Sequence, residues 1–314
     1  MRQRVLVLLS TYNGERYISH QIDSILAQEN VDVSILVRDD GSTDNTKIIL
    51  KDYCSKHHNV SLMEGNENLR PGNSFMRLLY WAGEDEYDKY DYYAFADQDD
   101  IWLKCKLIKS IEIIEANTNT DEAVLYCSNQ IIYKNESRCG LRFANPPKID
   151  LASVISSNKV SGCTFVMNRK LMREICNAAP PSEALMLRRM HDVWIALAAI
   201  CLGKVIYDEK SYILYRIHDN NAVGIKKKSA LQQFKIYRKN LVDKAYGNYR
   251  SWTAREALNA FPTVQGRNRE ILEELSDYRI NPGIKRKLLS DYDILKRMGN
   301  NILVTKIKII LNIL

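Results

Sequence analysis

Apolar residues recur with two different periods over the first part of the chain. Between residues 31 and 37 every second residue is apolar, which is the period of a half-buried strand. Ile18, Ile22 and Ile25 instead recur at helical spacing. The predicted strands are 5–9, 31–37, 60–63 and 90–96, and the predicted helices are 15–28, 46–57, 73–82 and 103–116. Because strands and helices alternate with short connections, this part is predicted to form a mostly parallel, doubly wound α/β sheet.

The pattern changes farther along the chain. Strands are predicted at 123–133, 163–167 and 212–215, and helices at 169–177 and 192–201. From residue 226 onward, Leu231, Phe234 and Tyr237 recur at helical spacing. Prolines at 262 and 282 divide that segment into three predicted helices. We therefore expect an α/β domain over residues 1–225 and a basic helical C-terminal extension over residues 226–314.

Charge is distributed unevenly between these two parts. Residues 226–314 hold 19 Lys and Arg against 8 Asp and Glu, a net charge of +11, whereas residues 1–225 hold 26 and 30, a net charge of −4. The seven cysteines include no Cys-x-x-Cys pair, which argues against a zinc ribbon or a redox pair. Their apolar surroundings indicate a reducing compartment, so we expect a cytoplasmic protein. The apolar run at 5–9 is too short for a signal peptide, and no stretch of the sequence is long enough for a membrane span.

The acidic run Asp97-Gln98-Asp99-Asp100 follows the predicted strand 90–96. Open α/β sheets bind ligands at the carboxyl ends of their strands, so these carboxylates are expected at the ligand-binding edge. Crowded carboxylates repel one another, and a divalent cation such as Mg²⁺ or Mn²⁺ would offset that repulsion. The alternative is an acidic loop that caps the following helix, with Asp100 as the capping residue.

Three further segments carry polar residues at comparable positions. Residues 10–15 (Ser-Thr-Tyr-Asn-Gly-Glu) end the first strand, residues 39–44 (Asp-Asp-Gly-Ser-Thr-Asp) end the second, and residues 191–194 (His-Asp-Val-Trp) open a later helix. In this order, and together with the acidic run, they resemble the family 2 glycosyltransferases, which have the GT-A fold. Residues 96–102, 191–194 and 215–221 resemble the bacterial rhamnosyltransferase subgroup. The resemblance implies a nucleotide-sugar-binding half at 1–100 and an acceptor-binding half at 101–225.

The resemblance implies a donor site at one edge of the sheet. Its nucleotide-sugar-binding residues are expected to be Thr11, Tyr12, Asn13, Glu15, Asp40, Arg70, Asp97 and Gln98. Tyr12 is expected to stack on the nucleobase, and Asp40 to accept a hydrogen bond from the pyrimidine N3–H. The residues around Asp40 fit a turn and a helix cap equally well. The family often has Gly where Arg70 and Pro71 stand, which leaves the contacts of that loop open.

The resemblance also implies a metal site. Asp97, Asp99 and His218 are expected to hold the divalent cation, Mg²⁺ or Mn²⁺, which would bridge the two phosphates of the donor. An exposed loop position is the structural alternative for His218.

Residues of the later helix are expected to serve the acceptor. Asp192 is the expected general base that takes the proton of the acceptor hydroxyl, since an inverting transfer needs no second catalytic carboxylate. His191 and Trp194 are the expected acceptor-binding residues. Helix capping is the structural alternative for Asp192, and a place in the core is the alternative for Trp194.

The C-terminal segment 302–314 is mostly apolar, with Thr305, Lys308 and Asn312 in a narrow polar stripe. Two interpretations stay open. Either the segment and the nearby basic residues 285–287 contact anionic lipids at the inner face of the cell membrane, or the segment packs on the protein body or on a second subunit of a homodimer. The basic extension shows no nucleic-acid-binding motif, so nucleic acid is not an expected partner.

Together these patterns lead to one expected function and two alternatives. We expect an inverting, metal-dependent glycosyltransferase that moves a sugar, with rhamnose from dTDP-rhamnose as the leading donor, to a glycan or lipid-linked acceptor in bacterial surface polysaccharide synthesis. The alternatives are a transferase that uses another UDP- or dTDP-hexose, and a non-catalytic module that binds sugar nucleotides or membranes. A sugar nucleotidyltransferase is disfavoured because residues 11–15 lack a Gly-rich, basic loop.

Overall fold

The computed structural model describes residues 2–63, 65, 67–85, 89–119, 121–218, 249–299 and 301–312. Its strands are β1 (Gln3–Thr11), β2 (Val31–Asp39), β3 (Val60–Met63), β4 (Tyr92–Ala96), β5 (Ile101–Trp102), β6 (Val124–Ser128), β7 (Ile131–Lys134), β8 (Ser137–Leu141), β9 (Val166–Asn168), β10 (Lys204–Asp208) and β11 (Ile213–Arg216). Its helices are α1 (Ile18–Leu26), α2 (Thr46–Lys56), α3 (Arg70–Asp85), α4 (Lys106–Asn117), α5 (Leu151–Ser157), α6 (Arg169–Asn177), α7 (Glu183–Met186), α8 (His191–Leu202), α9 (Tyr249–Ala260), α10 (Gly266–Asp277), α11 (Pro282–Ser290), α12 (Tyr292–Met298) and α13 (Ile302–Ile310).

A seven-stranded sheet in the order β10–β6–β9–β4–β1–β2–β3 forms the centre of the fold. Its parallel pairs confirm the predicted sheet, and β1 lies between β2 and β4 with Val5 opposite both Val33 and Tyr92. The inner parts of β1, β2 and β4 are buried, which explains their nearly continuous apolar runs. The carboxyl ends of these three strands therefore meet at one edge, where Thr11, Asp39 and Ala96 stand.

The predicted strand 123–133 is two strands in two sheets. β6 belongs to the central sheet, whereas β7 belongs to a four-stranded sheet in the order β5–β11–β7–β8. Asn129 separates them, since its side chain accepts a hydrogen bond from Gln130 N and donates one to Phe143 O, each within 2.9 Å. The predicted strand 163–167 is also shorter, because a 3-10 turn at Gly162–Thr164 precedes the antiparallel strand β9.

Helix α4 begins three residues later than predicted. Ile101 and Trp102 form β5, which pairs with β11, so the chain is extended where the helical pattern was expected to start. The residue before α4 is Cys105, and no side chain caps the helix. The expectation that Asp100 caps it is therefore wrong.

The C-terminal extension contains more helices than predicted. The expected boundary at 225–226 and the helical segment 231–241 lie outside the described residues. Residues 249–312 form five helices, α9 to α13. Asn281, Asp291 and Asn301 each accept hydrogen bonds from backbone N–H groups of the next helix. These caps start new helices inside segments that the apolar pattern predicted as single helices. Among the described helices, none is both long enough and apolar enough to cross a membrane.

The C-terminal helices pack against α5, α7 and α8. Trp194 of α8 is 1% exposed and lies against Phe261, with their ring centroids 5.4 Å apart. Arg250 Nη2 donates to Ser156 O over 2.8 Å, and Ser182 N donates to Glu256 Oε2 over 2.8 Å. Residues from the sheet, from α8 and from the extension thus belong to one continuous apolar core.

Because Trp194 joins the sheet domain to the extension, we expect Trp194→Ala to lower the free energy of unfolding by about 3–5 kcal/mol, measured by urea denaturation. Ile48→Ala on the exposed side of α2 is the control, with an expected change within about 0.5 kcal/mol. Equal effects of the two substitutions would contradict the placement of Trp194 in the core.

Candidate active site

A cleft of about 410 Å³ opens at the carboxyl ends of β1, β2 and β4. The first turn of α8 closes its other side. The predicted site residues that line it are Thr11, Tyr12, Asp40, Asp97, Gln98, Asp99, His191 and Asp192. Four strand-end or helix-start segments that lie far apart in the sequence therefore meet in one cleft.

The Gln98 side chain joins two of these segments. Its Oε1 accepts hydrogen bonds from Thr11 Oγ1 over 2.6 Å and from Tyr12 N over 2.8 Å, and its Nε2 donates to Tyr12 O over 3.1 Å. A Cβ on Gly14 would lie 2.5 Å from Gln98 Oε1, so this close approach requires glycine. Tyr12 is 46% exposed and its ring is accessible from the cleft.

Asn13 and Glu15 connect the end of β1 to the loop that follows β2. Asn13 Oδ1 accepts from Thr43 N over 2.8 Å, and Asn13 itself has a left-handed backbone with φ of 49°. Glu15 Oε2 accepts from Asn45 N over 2.9 Å, at the start of α2. Both side chains brace neighbouring loops and neither lines the cleft, which departs from the expected nucleotide contacts.

Asp40 is buried and paired with Arg38, an ion pair that the sequence analysis missed. Arg38 Nη1 contacts Asp40 Oδ1 and also donates to Ser74 Oγ over 2.9 Å. Asp40 Oδ1 accepts a further hydrogen bond from Leu69 N over 2.8 Å. The neighbouring Asp39 accepts from Ser42 N, so it forms the turn while Asp40 faces the cleft.

Arg70 is placed differently from the expectation. Its side chain is exposed and does not line the cleft. Its φ of 67° lies in the left-handed region that glycine adopts at little cost. This backbone conformation explains why a glycine would suit the position, and it gives Arg70 a role in turning the chain into α3.

The acidic run brings several carboxylates together at the end of β4. Burial, then the neighbouring carboxylates of Asp99 and Asp192, raise the pKa of Asp97 to about 7. His218 Nε2 lies 2.7 Å from Asp99 Oδ2, and Arg216 Nε donates to Asp99 O over 2.9 Å. Two carboxylates and an imidazole are suitable ligands for Mg²⁺ or Mn²⁺, and the repulsion between the carboxylates would be offset by such an ion. Their chemistry thus suits a divalent cation, although among the described residues the ligand atoms that come within 4.8 Å of one another belong to Asp97, Asp100 and Cys163.

Asp100 points away from the helix that it was expected to cap. Its Oδ1 accepts from Arg216 N over 3.1 Å, which ties the acidic loop to β11. Ligand atoms of Asp97, Asp100 and Cys163 lie within 4.8 Å of one another. Burial raises the pKa of the Cys163 thiol well above its usual value, so the thiol stays protonated and acts as a hydrogen-bond donor to carboxylates. Lys106 Nζ lies 3.6 Å from the centroid of the Trp102 ring, and burial lowers the pKa of this amine to about 7, opposed by Cys163 and Asp100.

Asp192 stands in the first turn of α8 and faces the cleft. Its Oδ1 accepts from Val193 N over 2.7 Å, a contact within the first turn, whereas the residue at the N-cap is Met190 and no side chain caps the helix. Burial raises the pKa of Asp192 to about 6, opposed by the Val193 N–H and by the positive charges of Arg189 and Arg142. A carboxylate with this pKa is ionised at neutral pH and can still accept a proton from a substrate.

His191 lies beside Asp192 in an aromatic pocket. Its ring centroid is 4.0 Å from that of Phe75 and 5.2 Å from that of Phe95, and neither ring nitrogen has a hydrogen-bond partner among the described residues. Burial lowers the pKa of His191 to about 3, so the imidazole is neutral. Trp194, the other expected acceptor residue, is buried in the core and absent from the cleft lining, so we correct its assignment to a core residue.

Three arginines line the cleft near the start of α8, and the sequence analysis missed them. Arg142 Nη1 contacts Gln130 Oε1 and Ser161 Oγ. Arg189 Nη2 donates to Ile155 O over 2.8 Å. The third is the exposed Arg188. Arg188 and Arg189 directly precede the His-Asp-Val-Trp segment, and that adjacency was the available signal.

Arg38 balances the negative charge of the buried Asp40 carboxylate. Replacing Arg38 alone should therefore lower the stability of the protein. We expect Arg38→Met to lower the free energy of unfolding by about 3–5 kcal/mol in a denaturant titration. Arg38→Met combined with Asp40→Asn should recover a large part of that loss, because the amide carries no charge. Equal losses in the single and double variants would contradict the ion pair as the cause.

The sequence matches known proteins over most of its length. The family model described as Glycosyl transferase family 2 matches residues 6–176. The chain is 32% identical over 249 residues to the dTDP-rhamnosyl transferase RfbG of Shigella flexneri, which covers 74% of this chain and 82% of that protein. It is 29% identical over 168 residues to the UDP-Glc:alpha-D-GlcNAc-diphosphoundecaprenol beta-1,3-glucosyltransferase WfgD of Escherichia coli, covering 54% and 61%.

Solved structures show the same fold. TarS of S. aureus in complex with UDP-GlcNAc aligns over 98% of this chain and 89% of that chain, with a TM-score of 0.60 and 16% identity. The mannosyltransferase PcManGT of Pyrobaculum calidifontis, in complex with GDP-Man and Mn²⁺, covers 99% and 86%, with a TM-score of 0.50 and 14% identity. The chain therefore belongs to glycosyltransferase family 2, has the GT-A fold and is a glycosyltransferase.

Proposed function

We propose that this glycosyltransferase is inverting and depends on a divalent cation. We further propose that it transfers rhamnose from dTDP-rhamnose to a hydroxyl group of a glycan or lipid-linked acceptor in bacterial surface polysaccharide synthesis. One observation carries the proposal: Asp192 shares a cleft with Asp97 and Asp99, although the two segments come from opposite halves of the domain. The identity with a dTDP-rhamnosyl transferase over most of both chains supports the donor.

The nucleotide would bind at the β1 and β2 end of the cleft. The exposed Tyr12 ring offers a stacking surface for the base. Asp40 faces the cleft, and its Oδ1 is already held by Arg38 and Leu69 N, so the carboxylate is fixed before the ligand arrives. A fixed hydrogen-bond acceptor next to an aromatic ring that can stack suits a thymine or uracil base, because the N3–H of these bases donates a hydrogen bond.

Asp97, Asp99 and His218 would hold the cation. When bound, that ion would supply positive charge to the diphosphate of the donor and so stabilise the departing nucleoside diphosphate. Arg216 fixes the loop, because it donates to Asp99 O and, through its N–H, to the Asp100 carboxylate. The ligand set is thus tied to β11 on one side and to β4 on the other.

Asp192 would act as the general base in a single displacement. The acceptor oxygen attacks the anomeric carbon as the bond from that carbon to the diphosphate oxygen breaks, and the bonding electron pair leaves with the nucleoside diphosphate. The hydroxyl proton passes to Asp192. Attack from the face opposite the leaving group inverts the anomeric centre, and no covalent enzyme intermediate is needed. The neutral His191 ring would shape the acceptor side of the site.

The basic lining of the acceptor side supports an acceptor that carries phosphate. Arg142 and Arg188 line this side, and within the described residues neither forms an ion pair with an acidic side chain. Guanidinium groups bind phosphate oxygens well. The WfgD relative is named for an acceptor that contains a diphosphate.

All seven cysteines are free, which supports a reducing, cytoplasmic location for the reaction.

Binding of the donor should be measurable by thermal unfolding. We expect dTDP and dTDP-rhamnose to raise the unfolding midpoint with Mn²⁺ or Mg²⁺ present, and to raise it less without either ion, because ligands stabilise the state that binds them. Asp99→Asn should remove the part of the midpoint shift that depends on the metal ion. Asp32→Asn, on the exposed side of β2, is the matched control and should leave that part unchanged. No shift with any nucleotide-sugar would refute the donor site.

The assignment of the base predicts a loss of turnover without a loss of donor binding. We expect Asp192→Asn to lower kcat by about 10²–10⁴-fold while the midpoint shift caused by dTDP stays as in the wild type. Undiminished transfer by this variant would refute the assignment.

The pH profile gives a second readout for the same base. A base works only when ionised, and burial raises the pKa of Asp192 to about 6, so kcat should rise with the slope of one proton as the pH increases through about 6. The charged groups that act on it are Arg142, Arg189 and Asp97. The residual activity of Asp192→Asn should lack this rise. If the wild type and Asp192→Asn show a rise of the same shape, the rise comes from another titrating group.

A further inference from the structure

Helix α13 presents an apolar face to the outside of the protein. The exposed side chains are Leu303, Val304, Ile307, Ile310 and Leu311, each between 41% and 67% exposed. At 3.6 residues per turn these positions form one continuous row along the helix. Thr305 and Ile309 lie on the opposite side and are buried. Scattered exposed apolar residues are common, but a continuous row indicates a surface that contacts something.

The orientation of α13 turns the polar stripe predicted from the sequence towards the protein. Thr305 Oγ1 donates to Asn301 O over 3.1 Å. Lys308 is half-buried near Arg250, and burial followed by that guanidinium lowers its pKa. Lys285 Nζ holds the end of the helix, donating to Ile310 O over 2.9 Å and to Asn312 Oδ1 over 3.0 Å. The outward apolar row is therefore fixed by contacts on the inner side.

Positive charge flanks this row. Lys306 and Lys308 stand on its two edges, each about 100° from its centre in a helical projection. Residues 279–312 contain eight Lys and Arg against two Asp and Glu. Both of those acids are paired with arginines of the C-terminal helices, Asp291 with Arg267 and Asp293 with Arg297. An apolar row with lysines at its edges matches the form of a helix that lies in a lipid headgroup layer.

The charge also distinguishes between two occupants of the face. A second copy of the chain, related by a twofold axis, would bring two strongly basic surfaces together and would pay a repulsive cost. An anionic lipid surface complements the charge and accepts the apolar side chains. We propose that the outer face of α13 docks on an anionic lipid surface. This inference concerns a surface outside the cleft and does not depend on the proposed reaction.

A series of contacts within the extension connects α13 to the lining of the cleft. Lys308 lies near Arg250, whose guanidinium donates to Ser156 O. The adjacent Tyr249 ring lies 5.1 Å from the Arg189 guanidinium, which lines the cleft.

Vesicle co-sedimentation of the full chain tests the proposal. We expect the protein to bind phosphatidylcholine vesicles that contain phosphatidylglycerol and to bind pure phosphatidylcholine vesicles much less. Ile310→Asp should weaken the binding about tenfold or more, because it puts a negative charge into the apolar row. Ile48→Asp is the matched control, an isoleucine of similar exposure on α2, and it should bind as the wild type does.

A separate variant tests how much the positive charge of α13 contributes to vesicle binding. Lys306→Glu should also weaken binding to the anionic vesicles, and added salt should reduce the wild-type binding. Failure of the wild type to bind anionic vesicles overturns the proposal, and so does equal loss in Ile310→Asp and Ile48→Asp. A dimer detected by light scattering that Ile310→Asp dissociates would overturn it in favour of a second copy.

Two further measurements separate this proposal from the proposed reaction. The thermal midpoint of each variant shows that it is folded, and the midpoint shift caused by dTDP with Mn²⁺ shows that the cleft is intact. Ile310→Asp should keep both values. Loss of vesicle binding with an intact nucleotide response therefore concerns α13 alone.

Discussion

The candidate active site depends on how the protein holds negative charge at one buried edge of its sheet. Asp40 is stabilised by Arg38, Asp99 contacts His218, and Asp100 accepts a backbone N–H from β11. Burial raises the pKa of Asp97, Asp100 and Asp192. Where the protein supplies too little positive charge at this edge, burial and neighbouring carboxylates favour uptake of a proton or binding of a cation.

The order of the strands brings these groups together. β1, β2 and β4 run parallel, so residues at their carboxyl ends share one edge. The turn at Gly162–Thr164, which leads into the antiparallel strand β9, lies against the first residue of α8. A Cβ at position 162 would lie 2.4 Å from His191 Nε2, so a glycine here lets the first residue of α8 pack closely against this turn. Asp192, the next residue of α8, thereby lines the same cleft as the carboxyl ends of β1, β2 and β4.

The sequence predicted those parts of the fold that have a repeating signal. The apolar periods located β1 to β4, and the polar residues at strand ends located most of the cleft. Other features had no local signal. The Arg38–Asp40 pair depends on Ser74 and Leu69, which lie far along the chain. α8 is apolar on nearly all sides, so its pattern could not tell whether Trp194 faced the core or the cleft. β5 has two residues, too few for any period.

The bridge made by Gln98 has a consequence for how such enzymes diverge. One amide group satisfies a hydroxyl, a backbone N–H and a backbone carbonyl, and it fits only because position 14 has no side chain. A substitution at 98, 11 or 14 therefore changes the constraints on the other two. In an alignment of relatives these three positions should vary together, and a library that redesigns the donor pocket should randomise them as a single unit.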